Sequence, residues 1–271
     1  MNWKNSVKLK RAVHRQSLVA RTHQHKVDST NDIQLQQLKN KEILIDSLLH
    51  ELRTINGNLK DCLDLIDFRK VERNIVDIWA QANLLSIRMQ MYDFEVNPEV
   101  LAGSGKYDIP IYRRVEKIYK CLDNAHFKKS IKIELKGNCH QTFNASDILE
   151  IAFYIIIHNA IKYAPEKSSI IIEFIETGNT VQVIFSNQAT LPTKEEQPRL
   201  TERGYRGTNA QKGGVPGSGI GLNTLQKICA YQGVLLNIDT IVTPPYEDIG
   251  IFRVILTFTS CKPYNTLYNE Y

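Results

Sequence analysis

Asn159, Lys162 and Tyr163 lie within one turn of each other and offer an amide oxygen, an ammonium group and an aromatic ring. They stand in HNAIKYAP (158–165), at the end of a long apolar run. An amide oxygen can reach a magnesium ion, a lysine a phosphate and a ring a base, so the trio suits a magnesium nucleotide. Any surface helix end could carry the same residues, so this segment alone decides little. Further along, Gly217, Gly219 and Gly221 precede a helical pattern. Glycines let the backbone approach an anion, and a helix N-terminus supplies free N–H groups and a positive dipole end. The segment is not a GxxxxGK(S/T) phosphate loop. No strand leads into it at the spacing of a dinucleotide fingerprint either. Taken alone, these glycines read equally well as a flexible linker.

A third segment, LLHELRTI (48–55), sits in a heptad frame. Leu38, Ile45, Leu52, Leu59 and Ile66 fall seven apart at position a, with Leu48, Ile55 and Cys62 at d. Leu49 and Leu63 widen the stripe on one side, Leu44 and Leu65 on the other. In this frame His50 falls at f, the most exposed position, with Thr54 one turn along the same face. By itself an exposed helical histidine usually does nothing, although an imidazole there is free to act as a nucleophile beside a carboxylate such as Glu51.

The elements that must position these groups follow from periodicity. A second amphipathic helix repeats through Ile75, Ile78, Ala82, Leu85, Met89 and Tyr92. Two such helices make an antiparallel hairpin that cannot bury both apolar faces alone, and a stripe this wide suits a four-helix bundle completed by a second copy. The alternative is a hairpin lying on its own globular domain. Asn97-Pro98 ends the second helix. From Asp108 the pattern becomes α+β: a helix over 111–125, a strand in SIKIEL (130–135) and a long apolar helix from Ala145 to Ala164, with Asn144 or Ser146 as cap. SIIIEFIE and NTVQVIFSN form a hairpin around Gly178. A polar loop covers 188–216, longer than ordinary connections, as functional lids are. A helix then covers 217–231, and VLLNIDTI and GIFRVILTF form a closing hairpin.

Composition agrees with a globular chain: of 271 residues, 42% are apolar and 23% charged. No apolar run of bilayer length occurs, and the start lacks the apolar core of a secretory signal, so a cytoplasmic protein is expected. The net charge of +5 is uneven: residues 1–27 hold seven basic and no acidic residues, and the remaining 27 basic residues are outnumbered by 29 acidic ones. That tail reads as a solvated leader or an electrostatic contact, and no nucleic-acid motif accompanies it. The five cysteines form no CxxC pair and are expected as reduced thiols.

In order and spacing, these motifs resemble a known superfamily. HNAIKYAP resembles the N box, and GSGIGL (217–222) the second glycine box, of the Bergerat-fold ATPases, which include histidine kinases, DNA gyrase, a class of heat-shock chaperones and mismatch-repair ATPases. GYRG (204–207) resembles the lid of sensor kinases, and LLHELRTI resembles the phospho-acceptor H box of histidine kinases. The resemblance implies ATP and Mg²⁺ as cofactors. It places Asn159 on the metal, Lys162 near phosphate, Tyr163 beside adenine, and Arg206, Gly217, Gly219, Gly221 and Leu222 around the nucleotide. It implies His50 as phospho-acceptor, Glu51 as its proton partner and Thr54 as a polar neighbour that orients water. Family members carry an Asp and spaced glycines after the central strand, whereas this chain has FSNQATLP (185–192). Asn187 is the expected substitute, with Ser186 the other candidate. Ile155 stands where some kinases have a further Asn, and Ile55 where the H box has Pro.

The combined expectation is an α+β chain. A basic tail (1–30) precedes a helical hairpin (31–97) that dimerises as a four-helix bundle and carries the phospho-acceptor. A Bergerat-fold α/β-sandwich ATPase domain (108–262) follows, then a short C-terminal tail (263–271). The expected function is a sensor histidine kinase that forms a homodimer and hands a phosphoryl group to a response-regulator receiver, with no nucleic-acid partner. A nucleotide-gated interaction module without phosphotransfer is the alternative, and an inactive dimerisation scaffold is a third reading.

Overall fold

The computed structural model describes residues 45, 49, 50, 52–61, 63, 66, 73–97, 105–122, 129–213, 217–243 and 249–264. The basic tail, Glu51, Cys62 and much of the first heptad stripe lie outside the described residues. The chain divides into two compact units, Met1–Ile55 and Asn56–Tyr271. In the first, His50 and residues 52–55 are helical, and Ile45, Leu52 and Ile55 are exposed.

The second unit begins with helical residues 56–61, followed by helix α1 (Arg73–Val96). Buried Asn56 joins them: its amide nitrogen donates to Ala82 O at 2.9 Å and Ser86 Oγ at 2.7 Å. Helix α1 has two apolar faces. Ile78 and Leu85, on the predicted stripe, are 47% and 39% exposed. Ala80, Leu84, Ile87 and Phe94, spaced along another face, enter the core shared with the α+β domain. Phe94 meets Tyr231 edge-on, with ring centroids 5.8 Å apart.

Strand β1 (Tyr107–Pro110) leads directly into α2 (Ile111–Cys121), since Pro fits the entry to a helix where no N–H is needed. Then come β2 (Lys132–Lys136), β3 (Gln141–Ala145), α3 (Leu149–Tyr163), β4 (Ser169–Thr177) and β5 (Thr180–Thr190). After a 3₁₀ turn (Gln197–Arg199) follow α4 (Thr208–Lys212), α5 (Gly221–Gln232), β6 (Leu235–Val242), β7 (Ile249–Phe258) and β8 (Lys262–Pro263). The main sheet has the order β2-β4-β5-β7-β6, antiparallel except for the parallel pair β2 and β4. A small antiparallel sheet has the order β1-β3-β8. The two predicted hairpins are present, the first turning at Gly178 with φ +63°. This is an α+β Bergerat-type ATPase fold with N-terminal helices.

Alternation along the central strands faces Val181, Val183, Phe185, Asn187 and Ala189 inward. Phe153 of α3 lies 6.5 Å from Phe185 and 6.4 Å from Phe258, ring to ring, so α3 rests on this sheet face. Eleven of the 15 residues of α3 are buried. The helix starts at Leu149, not Ala145, because residues 141–145 pair as β3. Ser146 does not cap it. Its N–H donates to Gln232 Oε1 at 3.1 Å and its hydroxyl accepts from Gln232 Nε2 at 2.8 Å, which ties α3 to the end of α5. The charge of buried Glu150 is held by Lys117 at 2.9 Å and by Arg114. Cys121, Cys139, Cys229 and Cys261 are free thiols. Among the described residues no helix is long and apolar enough to cross a membrane.

Phe94 tests the docking of α1. Phe94→Ala should lower stability by about 3–5 kcal/mol, the usual cost of truncating a buried aromatic. Urea unfolding of the whole chain measures it.

Candidate functional site

The end of α3 opens into a cavity of about 320 Å³. Its walls come from α1, α3, β5, the lid segment, the glycine segment and β7. All nine residues singled out in this domain line it: Asn159, Lys162, Tyr163, Asn187, Arg206, Gly217, Gly219, Gly221 and Leu222. Ser186 does not, because alternation along β5 turns it to the opposite face from Asn187. Sequence reasoning missed Arg88 and Met91 of α1, which also line the cavity.

Helix α3 ends at Tyr163 before Pro165. Lys129 caps it, its ammonium donating to the carbonyls of Ile161, Lys162 and Ala164 at 3.0, 2.8 and 3.0 Å. A cation on the last carbonyls satisfies orphan acceptors and suits the negative end of the helix dipole. This fixes the turn that presents Asn159 and Lys162 to the cavity. Lys162 Nζ also lies 5.0 Å from the centre of the Tyr163 ring. His158 stacks on Tyr154 at 5.2 Å. Burial, then the charges of Arg88 and Lys162, hold the His158 pKa below its ordinary value, so it is neutral at pH 7.

Two glycines have defined reasons. A Cβ on Gly217 would sit 2.6 Å from Lys162 Nζ, so the bare backbone lets the ammonium approach the glycine segment. Gly219 has φ +72°, and a Cβ there would meet the Gly204 and Tyr205 backbone at 2.6 Å. Gly204 N–H donates to Gly219 O at 3.1 Å, which joins the lid to the glycine segment. Lys162, Arg206 and the backbone ahead of α5 make a cationic, open-backboned cradle that fits a polyphosphate. No cluster of three His, Cys, Asp or Glu able to hold a metal occurs among the described residues. The donor set instead fits a magnesium ion that keeps waters and phosphate oxygens and takes one protein amide.

At the other end of the cavity, Asn187 is buried on β5. Its amide nitrogen donates to Gln188 O at 2.9 Å, which leaves the amide oxygen as the acceptor.

The lid is organised by one carboxylate. Glu196 accepts from Thr193 N at 2.9 Å, Thr208 N at 2.7 Å and Thr208 Oγ1 at 2.6 Å. Asn209 adds a bond to Leu191 O at 2.8 Å. The predicted loop over 188–216 is therefore part strand, part 3₁₀ turn and part helix over its described residues. In the first unit His50 is exposed, and Thr54 Oγ1 donates to His50 O at 3.1 Å.

Residues 144–250 match the model of the histidine kinase-, DNA gyrase B- and HSP90-like ATPase family. The chain is 24% identical over 226 residues to the sensor histidine kinase Hik2 of Thermosynechococcus vestitus, covering 78% of this chain and 57% of that protein. It is 25% identical over 188 residues to the sensor histidine kinase HprS of Escherichia coli K12, covering 69% of this chain and 36% of that one. Among solved structures, the mycobacterial sensor histidine kinase MprB aligns with a TM-score of 0.49 at 16% identity, over 58% of this chain and 99% of that one. The chain thus spans little more than half the length of the first relative and about a third of the second. The matched stretch takes in α3, the lid, the glycine segment and α5, so the domain built around α3 resembles the ATPase domains of that family.

The Thr208 hydroxyl, then the Thr208 and Thr193 amides, hold the Glu196 carboxyl down at about 2, below its ordinary 4.5. A depressed folded pKa means that the clasp stabilises the lid fully above the unfolded value and loses this as pH falls through the folded one. Hydrogen exchange at the Thr193 and Thr208 amides, corrected for intrinsic rates, should stay slow from pH 7 to 5. Protection should fade between pH 4.5 and about 2. At pH 7, Glu196→Gln should speed exchange there by about tenfold or more, as loss of hydrogen bonds to a charged group implies.

Proposed function

We propose that this chain is the kinase core of a sensor-type histidine kinase. It binds Mg-ATP in the α3 cavity, phosphorylates His50 and passes the phosphoryl group to an aspartate of a separate receiver protein. The observation that carries this reading is the convergence of all nine nucleotide-site residues on one cavity, in a chain that also holds HELRT with an exposed histidine. Asn159 would hold the magnesium ion by its amide oxygen, and Lys162 and Arg206 the phosphates. When bound, the metal supplies neutralisation of phosphate charge. Tyr163 would flank the adenine, and Asn187 would accept from its amino group. His50 takes the γ-phosphoryl group on an imidazole nitrogen as ADP departs. Glu51 orients the ring or takes its proton, and Thr54 stands one turn along. Positioning and charge neutralisation carry most of such a transfer.

The same reading makes the chain a homodimer. Ile45 and Leu52 at position a of the first unit are exposed. So are Leu59, Ile78 and Leu85 of the second unit. Such stripes gain about 25 cal/mol per Å² when a second copy covers them. A nucleotide-gated interaction module without phosphotransfer is the second reading. The absence of an acid and glycines in FSNQATLP favours it.

Incubation with γ-labelled ATP separates the two. His50→Gln should bind ATP like the wild type and take up no label, and Glu51→Gln should slow incorporation while leaving ATP binding intact. Wild-type label should be lost in acid and kept in base, as a phosphoramidate requires. Label that persists in His50→Gln or survives acid moves the weight to the interaction module.

Asn187→Ala should compress the ratio of ATP to GTP affinity by about five- to tenfold or more, the value of one buried hydrogen bond. Competition binding measures the ratio, and an unchanged ratio assigns adenine reading to another group.

A further inference from the structure

Helix α1 meets the domain near the nucleotide cavity at two places, and the first of them lines the cavity. One or two turns before its end, Arg88 and Met91 form part of the cavity wall. Arg88 Nε donates to Tyr154 Oη at 3.2 Å, and Tyr154 in turn stacks on His158, the neighbour of Asn159. In the last turn, Glu95 is only 14% exposed. One of its carboxylate oxygens accepts the hydroxyl of Thr224. The other lies 3.4 Å from Arg203 Nη2.

Those two partners lie just past the glycine segment, on α5, and in the lid. Thr224 is fully buried in the first turn of α5, three residues after Gly221. Its hydroxyl also lies 3.1 Å from Ile220 O, so its single proton is shared or given to the stronger, charged acceptor. Arg203 directly precedes the GYRG segment. Around this point Asn223 Nδ2 donates to Thr201 O at 2.9 Å, and Gly204 N–H donates to Gly219 O. One mostly buried carboxylate on α1 therefore bonds to the helix behind the glycines and pairs with an exposed arginine at the base of the lid.

We propose that Glu95 is a positioning residue for the nucleotide site. Docking of α1 through Glu95 holds the glycine segment and the lid in the arrangement that grips the nucleotide. The inference rests on the nucleotide-binding reading above and adds to it a link between α1 and affinity. Because linkage is reciprocal, nucleotide binding must tighten the docking of α1 by the same factor that docking raises affinity. Whatever moves α1 off the domain then loosens the nucleotide.

The test uses the full chain, with Mg-ATP as the titrant in calorimetry and hydrogen exchange of α1 as a second readout. Glu95→Gln and Thr224→Val should each weaken Mg-ATP by about five- to tenfold, the low end of ordinary coupling between sites. The double variant should be no weaker than the weaker single one, because both changes act on one contact: Glu95→Gln takes away the charge and Thr224→Val the hydroxyl. Thr224→Ser, which keeps the hydroxyl, should restore affinity. In the wild type, Mg-ATP should slow exchange of amides 84–96, and in Glu95→Gln that slowing should vanish. A merely structural glutamate would lower stability without removing the nucleotide-dependent part. Wild-type binding with an unchanged Glu95→Gln affinity, or fully additive effects in the double variant, overturns this inference alone. Absence of Mg-ATP binding by the wild type overturns the nucleotide reading and the inference with it.

Discussion

The constraint on which the rest depends is the burial of α3. Its sequence, LEIAFYIIIHNAIKY, is apolar around almost its whole circumference until its last turns, and a helix of that kind must be covered on all sides. The inward face of the main sheet, α2, α5 and α1 supply the cover. Polarity begins at His158 and Asn159, where the cover stops and the cavity starts. The same boundary that ends the apolar run thus fixes where chemistry can occur. Lys129 completes it by taking three of the carbonyls that the helix end leaves over. The one acid inside the apolar stretch, Glu150, is tolerated because Arg114 and Lys117 stand on α2 to neutralise it. Without both, an uncompensated charge would sit under the helix N-terminus, a strongly destabilising arrangement.

Much of this was legible from residue order. Alternation in SIIIEFIE and NTVQVIFSN around a Gly-containing turn specifies the hairpin, and the same alternation decides that Asn187 rather than Ser186 faces the cavity. HNAIKYAP and GSGIGL are local signals, and the roles of Gly217 and Gly219 follow from the space around them. What was not legible was long-range. Strands β1 and β3 are short, and the Gln141–Ala145 pairing has no alternation strong enough to outweigh the helical run beside it. Ser146 reads as a cap until Gln232, far along the chain, engages both its N–H and its hydroxyl. Glu196 looks like one more acid in KEEQ, and only Thr193 and Thr208 make it the clasp of the lid.

Helix α1 is the instructive case. A periodic apolar pattern names one face, but α1 carries two. On the predicted stripe Ile78 and Leu85 stay exposed while Ala82 and Met89 are buried, and the stripe through Ala80, Leu84, Ile87 and Phe94 is buried against the domain. Periodicity cannot rank two faces, because rank depends on what each face meets. A helix with two apolar faces is what a bridge requires: one face for the domain it lies on and one left for another surface.

That double character bears on how the site could be controlled. A nucleotide pocket built only from α3, β5 and the glycine segment would be indifferent to the helices that precede it. Here Arg88 and Met91 belong to the cavity wall, and Glu95 holds Thr224 and Arg203. The contact is polar, with Thr224 buried, Glu95 mostly so and Arg203 exposed, and it favours one register of α1. A shift of one turn would leave Glu95 without its partners and Phe94 out of its seat beside Tyr231. Packed interfaces of this sort are bistable rather than elastic, so a small displacement of α1 is resisted until the contact gives way as a whole. On the proposed coupling, affinity for nucleotide and the position of α1 change together.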